Sequence, residues 1–205
     1  MRLFVMGATG HTGTQVIDIA LARSHDVTAF VRSPQKILRR DPRLKLVAGD
    51  PHSIEQLTKA LPGHDAVLSA LGVRPPQAFR PHTLVEECAA STVAAMGESG
   101  VNRLVLVSAA VLFPQKGMLF ALFRTLLRHI ARDLRAAEDV VRSNSLHWTI
   151  ARPPRLTNAS DGAYRAVRDA LPAKAFSMSF RAVAAFMVDA AEQGTFIRET
   201  VGLAR

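Results

Sequence analysis

Three glycines spaced three apart, G-A-T-G-H-T-G from Gly7 to Gly13, come directly after the apolar run R-L-F-V-M. Glycines also mark ordinary turns, so their surroundings decide the reading. Between a buried strand and a helix, Gly7 permits a tight turn. Gly10 lets backbone N–H groups reach a pyrophosphate, and Gly13 permits close helix–strand packing. The amides and dipole of the helix start then favour the anion. The second apolar run ends in V-R-S, at Val31, Arg32 and Ser33. A carboxylate at that place would hold the ribose 2′-hydroxyl of NAD. An arginine fork beside a serine hydroxyl suits the 2′-phosphate of NADP instead, which makes NADP the predicted cofactor. The other reading of Arg32 is a solvated surface residue.

Alternating runs must position these residues. Stretches near-continuous in Val, Leu, Ile and Phe fall at 2–6, 26–31, 44–48, 66–70, 103–108 and 147–151. They read as strands covered on both faces. Helical patterns lie between them at 12–23, 53–60, 83–99 and 118–143, with a last helix at 180–193 and a short strand at 199–203. Strand and helix in alternation predict an α/β, doubly wound parallel sheet. One Rossmann domain is expected over 1–205, with 155–205 as a cap on the substrate side, over the carboxyl ends of the strands.

The totals exclude several classes. At 205 residues, 48% hydrophobic and 21% charged, the chain reads as one globular domain. A net charge of +9 raises nucleic acid as a partner, but only 6% of residues are aromatic and no stacking motif is visible. The cluster at 32–45 sets six basic residues against Asp41 alone, which an anionic small molecule explains more economically. Cys88 is the single cysteine and reads as a small buried apolar residue. No Cys/His spacing suggests a metal. No run is long enough to span a membrane, and MRLFVMGATG is too interrupted for a signal peptide. The expectation is a cytoplasmic monomer or homodimer.

Six stretches occur in a telling order. They are G-A-T-G-H-T-G, V-T-A-F-V-R-S, Gly49-Asp50, H-D-A-V-L-S-A-L-G from His64 to Gly72, V-N-R-L-V-L-V-S ending at Ser108, and L-H-W-T-I-A-R-P-P ending at Pro154. Together they resemble the atypical short-chain dehydrogenase/reductases of the NmrA-like group, most closely the biliverdin reductase B or flavin reductase type. The resemblance covers about residues 1–155 and, more loosely, the final helix. It implies that Gly7, Thr9, Gly10, His11, Thr12 and Gly13 hold the pyrophosphate. Arg32 and Ser33 would meet the 2′-phosphate, and Asp50 the adenine. Leu71 and Gly72 would line the ribose, and Ser108 would face the nicotinamide as the catalytic residue. The backbone of Pro153 and Pro154 would receive the carboxamide.

Short-chain dehydrogenases of the usual kind use Tyr-x-x-x-Lys, the lysine lowering the tyrosine pKa for proton exchange. Here the corresponding positions are Ile130 and Leu134. The one tyrosine, Tyr164, precedes Arg168 in a Y-x-x-x-R spacing but falls beyond the sixth strand, in the expected substrate loop. A planar conjugated acceptor needs no such relay, because it delocalises the incoming charge and solvent supplies the proton. The expected activity is therefore an NADPH-dependent reductase of a flavin, quinone or tetrapyrrole-like acceptor, planar and anionic. Arg74, Arg80, Phe113, Arg155 and Tyr164 are candidates for holding it. The alternative is a non-catalytic NADP(H) sensor, favoured if Phe113, Met118 or Phe120 fills the pocket.

One helix needs separate judgement. Phe120, Phe123, Leu127, Ile130, Leu134, Ala137 and Val141 recur at helical spacing, with Arg124, Arg128, Arg132 and Arg135 beside them. A membrane-surface helix is one reading; a crossover helix packed on the sheet is the one adopted. Its apolar opening, 112–122, is expected to wall the substrate pocket or a dimer contact. Five of the histidines, His52, His64, His82, His129 and His147, read as surface or core fillers.

Overall fold

The computed structural model describes residues 1–73, 80–114 and 127–205. The elements follow in chain order: β1 (Arg2–Met6), α1 (His11–Ala22), β2 (Asp26–Val31), β3 (Leu44–Ala48), α2 (Ile54–Ala60) and β4 (Ala66–Ser69). Next come α3 (Leu84–Ser99), β5 (Arg103–Val107), α4 (Arg128–Arg142), β6 (His147–Arg152), β7 (Arg155–Thr157) and β8 (Arg165–Arg168). The chain ends with β9 (Ser177–Ser179), α5 (Phe180–Gln193) and β10 (Glu199–Ala204).

Eight strands form one sheet in the order β3-β2-β1-β4-β5-β6-β10-β8. All pairings are parallel except β10 with β8. Strand order reverses at β1, which pairs with β2 on one side and β4 on the other. This is the doubly wound Rossmann arrangement, in which ligands lie in the crevice at the reversal.

The alternation of side chains along each strand builds two cores. In β1, Leu3 and Val5 pack toward α1 and α5, while Phe4 and Met6 pack toward α2, α3 and α4. β4 repeats this with Leu68 on one side and Val67 on the other, as does β5 with Val105 and Leu104. Every one of these side chains is buried, the condition under which apolar runs are continuous and not alternating.

The C-terminal segment, expected to cap the substrate side, also adds to the sheet. β8 and β10 extend the main sheet, α5 covers one face, and only β7 and β9 pair apart as a small parallel sheet. The turn after β8 crosses so tightly that a Cβ on Gly202 would lie 1.9 Å from the Ala170 carbonyl oxygen. The helix expected at 180–193 and the strand at 199–203 are present, while β7, β8 and β9, of three or four residues such as R-A-V-R, are too short to carry a readable periodicity. The crossover helix expected over 118–143 is described from Arg128 onward; Met118, Phe120, Phe123 and Arg124 fall outside the described residues, as does Arg74. Its buried face holds Leu134, Ala137 and Val141 as expected, and also two carboxylates, Asp133 and Glu138.

Candidate cofactor and acceptor site

The glycine loop makes the tight turn and the close helix–strand approach that its spacing implies. Gly7 has φ +73°, a left-handed conformation, and a Cβ there would lie 2.5 Å from the Ala70 carbonyl oxygen. A Cβ on Gly13 would lie 2.2 Å from the Gly7 carbonyl oxygen, closer than any side chain tolerates. The two glycines thus let α1 start directly against the β1 and β4 ends. Gly10 is the N-cap residue of α1; no side chain caps that helix, and its first turn contains no acid. Its dipole and first amides are left to an anion.

A groove of about 550 Å³ opens beside this turn. Gly7, Thr9 and Gly10 follow β1 in the middle, with Leu71 and Gly72 after β4 on one side and Arg32, Ser33 and Lys36 after β2 on the other. A Cβ on Gly72 would touch nothing within 4 Å, so the groove is open on that side. Arg32 is exposed and makes no ion pair among the described residues. Arg32, Ser33 and Lys36 gather at the end of β2, a donor set suited to a phosphate. Thr12 and Gly13 are buried in the helix start, and His11 lies on the opposite side of the loop. Asp50 does not line the groove: its Oδ1 accepts from the His52 amide and its own amide donates to Gln56 Oε1. It shapes the turn that presents Pro51 and His52 to the groove instead.

His52, read as filler, is therefore a wall residue. Its Nδ1 is 3.4 Å from Glu87 Oε2 and its Nε2 is 3.7 Å from Cys88 Sγ. Burial, followed by the Asp50 and Glu87 charges, pushes the Cys88 thiol up to about 12. Cys88 is thus a protonated, unreactive wall residue. Leu84 and Cys88 reach the groove because Asp133 fixes the start of α3, accepting from the Val85 and Glu86 amides at 3.1 and 2.9 Å. His82 Nδ1 lies 2.8 Å from the same carboxylate, close enough for an ion pair but not aligned for a hydrogen bond.

A buried ionic network lies at the ends of β5 and β6. Ser108, just past β5, donates its hydroxyl to Glu138 Oε1 at 2.6 Å. Arg152 grips Glu138 with Nε at 2.9 Å and Nη2 at 2.5 Å, and Arg142 Nη2 adds a third contact at 3.0 Å. Phe113 is buried with its ring 4.6 Å from the Arg152 guanidinium. The Ser108 hydrogen is thus already committed, which leaves Ser108 only lone pairs for a ligand. Toward a ligand it can therefore act as an acceptor. The Pro153 carbonyl accepts from the Ala110 amide at 2.8 Å. A sequence clue to this network existed: Glu138 sits on the apolar face of its helix, and Arg152 ends an apolar strand. Neither could stay buried unpaired.

Tyr164 is not in the groove. Its hydroxyl donates to Asp189 Oδ2 at 2.5 Å and its ring meets Phe186 edge-on, both on α5. Burial, then the Asp189 bond, holds the phenol well above its ordinary range. Arg155 opens β7 with its side chain exposed, and Arg80 is exposed too. Neither lines the groove. Among the described residues, no cluster of His, Cys, Asp and Glu is placed to hold a metal, and no helix is long and apolar enough to cross a membrane.

Residues 7–194 match the family described as NAD(P)H-binding. The chain belongs to that family. An uncharacterised chloroplastic protein of Arabidopsis thaliana is 30% identical over 172 residues, 77% of this chain and 60% of that protein. The oxidoreductase YlbE from Lactococcus lactis superposes with a TM-score of 0.85 at 18% identity, covering 100% of this chain and 91% of the other. A short-chain dehydrogenase/reductase from Veillonella parvula, solved in complex with NADP, gives 0.78 at 21% identity, covering 100% and 94%. These two likenesses establish the Rossmann fold.

Proposed function

We propose that this protein is an NADPH-dependent reductase that delivers hydride to a planar conjugated acceptor without a side-chain proton relay. The observation that carries the reading is the state of the only tyrosine. Tyr164 is bound to Asp189 on α5 and held protonated, while Leu134 is buried and Ile130 is packed against the second core. Where a Tyr/Lys relay would act, the side chains are hydrocarbon.

When bound, the reduced nicotinamide supplies the hydride. The chain's own part is binding and orientation. Arg32, Ser33 and Lys36 would hold the 2′-phosphate, and the α1 start the pyrophosphate. Ser108, its hydrogen fixed on Glu138, would accept a hydrogen bond from an amide of the carboxamide or acceptor. The proton that completes reduction comes from water. NADP over NAD is supported by the arginine, serine and lysine at the β2 end and by the NADP complex of the Veillonella protein.

A second reading is a cofactor sensor, in which Phe113, buried against Arg152, would fill the acceptor space. One experiment separates the two. NADPH oxidation is followed against flavins, quinones, biliverdin and an aliphatic ketone. Turnover of the conjugated acceptors alone is expected. Robust ketone reduction would overturn the mechanism, and turnover of none would leave the sensor.

A further inference from the structure

A second groove, of about 490 Å³, lies on the other side of the glycine loop. His11, Gln15, Asn158, Ala159, Ser160, Phe180 and Arg181 line it. Its chemistry is one-sided. It has two basic side chains, three uncharged hydrogen-bonding ones and no carboxylate. Asp161, next along the loop, points its Oδ2 to Arg205 at 3.0 Å. Arg181 is held toward the groove by Gln15, with Nη1 3.3 Å from Oε1. His11 stacks on Phe180 with centroids 4.9 Å apart and planes at 25°, giving the groove a flat wall.

The backbone adds the same sign. α1 begins at His11 and α5 at Phe180, both have no acid in the first turn, and their starts converge on this cavity. The volume falls in the range of small-molecule sites, in a groove open to solvent and lined mostly by exposed side chains. Its location relates it to the chemistry. β7 carries the chain from Pro154 to Asn158 through three extended residues. At ~3.3 Å per residue, the four steps from Pro154 to Asn158 put the groove about 13 Å from the place the carboxamide would occupy.

We propose that this groove binds a phosphate monoester on the acceptor, with Arg181 as its cationic contact and the His11 ring as a hydrogen-bonding one. The acceptor is then a planar ring system with a flexible phosphorylated arm, its ring at the Pro153 end and its phosphate at the Arg181 end. This rests on the reductase reading for the ring but not for the anion.

Flavin mononucleotide and riboflavin share one ring and differ in the phosphate. Each is titrated by flavin fluorescence into protein saturated with NADP⁺. Flavin mononucleotide should bind at least tenfold more tightly, and inorganic phosphate should compete with it but not with riboflavin. Arg181→Gln should collapse the ratio toward one, Arg181→Lys should retain part of it, and NADPH affinity should hold in both. Equal binding of the two flavins by the unaltered protein, or an undiminished ratio in Arg181→Gln, would overturn the proposal. Phosphate-dependent binding with no acceptor reduced would leave the groove standing and sink the reductase reading. Reduction of quinones with neither flavin bound would do the reverse.

Discussion

The Ser108 hydroxyl donates to Glu138 Oε1 at 2.6 Å, and Glu138 in turn is held by Arg152 and Arg142. A carboxylate 1% exposed survives there only because two guanidiniums and a hydroxyl replace its water. Glu138→Ala strands the Arg152 charge in a buried site and should cost about 3–5 kcal/mol. Urea unfolding measures it, and the double variant Glu138→Ala/Arg152→Met should recover much of the loss. A cost under about 1 kcal/mol would show the network to be dispensable.

Arg32 is expected to set cofactor choice. NADPH should bind at least tenfold more tightly than NADH, a difference of about 1.4 kcal/mol. Arg32→Ala should weaken NADPH and leave NADH nearly unchanged, read by calorimetric titration. Equal wild-type affinities would remove the 2′-phosphate assignment.

Removing the Tyr164 hydroxyl tests the absence of a relay. Tyr164→Phe should alter single-turnover hydride transfer by less than about threefold, where loss of a true general acid costs ~10²–10⁴. The variant should also flatten part of the alkaline stability profile. The folded phenol keeps its proton beyond the ordinary tyrosine range, so the folded state binds more protons above about pH 10. Stability must then fall as pH rises through that window, and Tyr164→Phe should fall less.

The Cys88 thiol follows the same sign at lower pH. It stays protonated to about 12 in the folded protein but ionises near 9 when unfolded. Its stabilising contribution is full below pH 9 and fades as pH climbs toward 12. At pH 8 its labelling by a disulfide reagent should be at least about a hundredfold slower than that of a free thiol. Labelling at the free-thiol rate, blocked by NADP⁺, would mean an open and ionised groove wall instead.

Much of this protein is written locally. The spacing of Gly7, Gly10 and Gly13, the V-R-S at the end of β2 and the continuous apolar runs each express a demand of backbone or burial within a few residues. Such demands can be read without knowing what lies across the fold, and the doubly wound sheet follows from them. Tertiary structure decided everything that depends on two distant side chains meeting. Ser108 became an acceptor because Glu138, thirty residues on, takes its hydrogen. Tyr164, in the loop before β8, is held to α5 because its hydroxyl reaches Asp189. The second groove exists only where the starts of α1 and α5 converge, with His11 and Phe180 stacked across 169 positions of chain, from 11 to 180. Hydrogen bonds and charge pairs fix roles at a few ångströms, and distance along the chain carries no record of them.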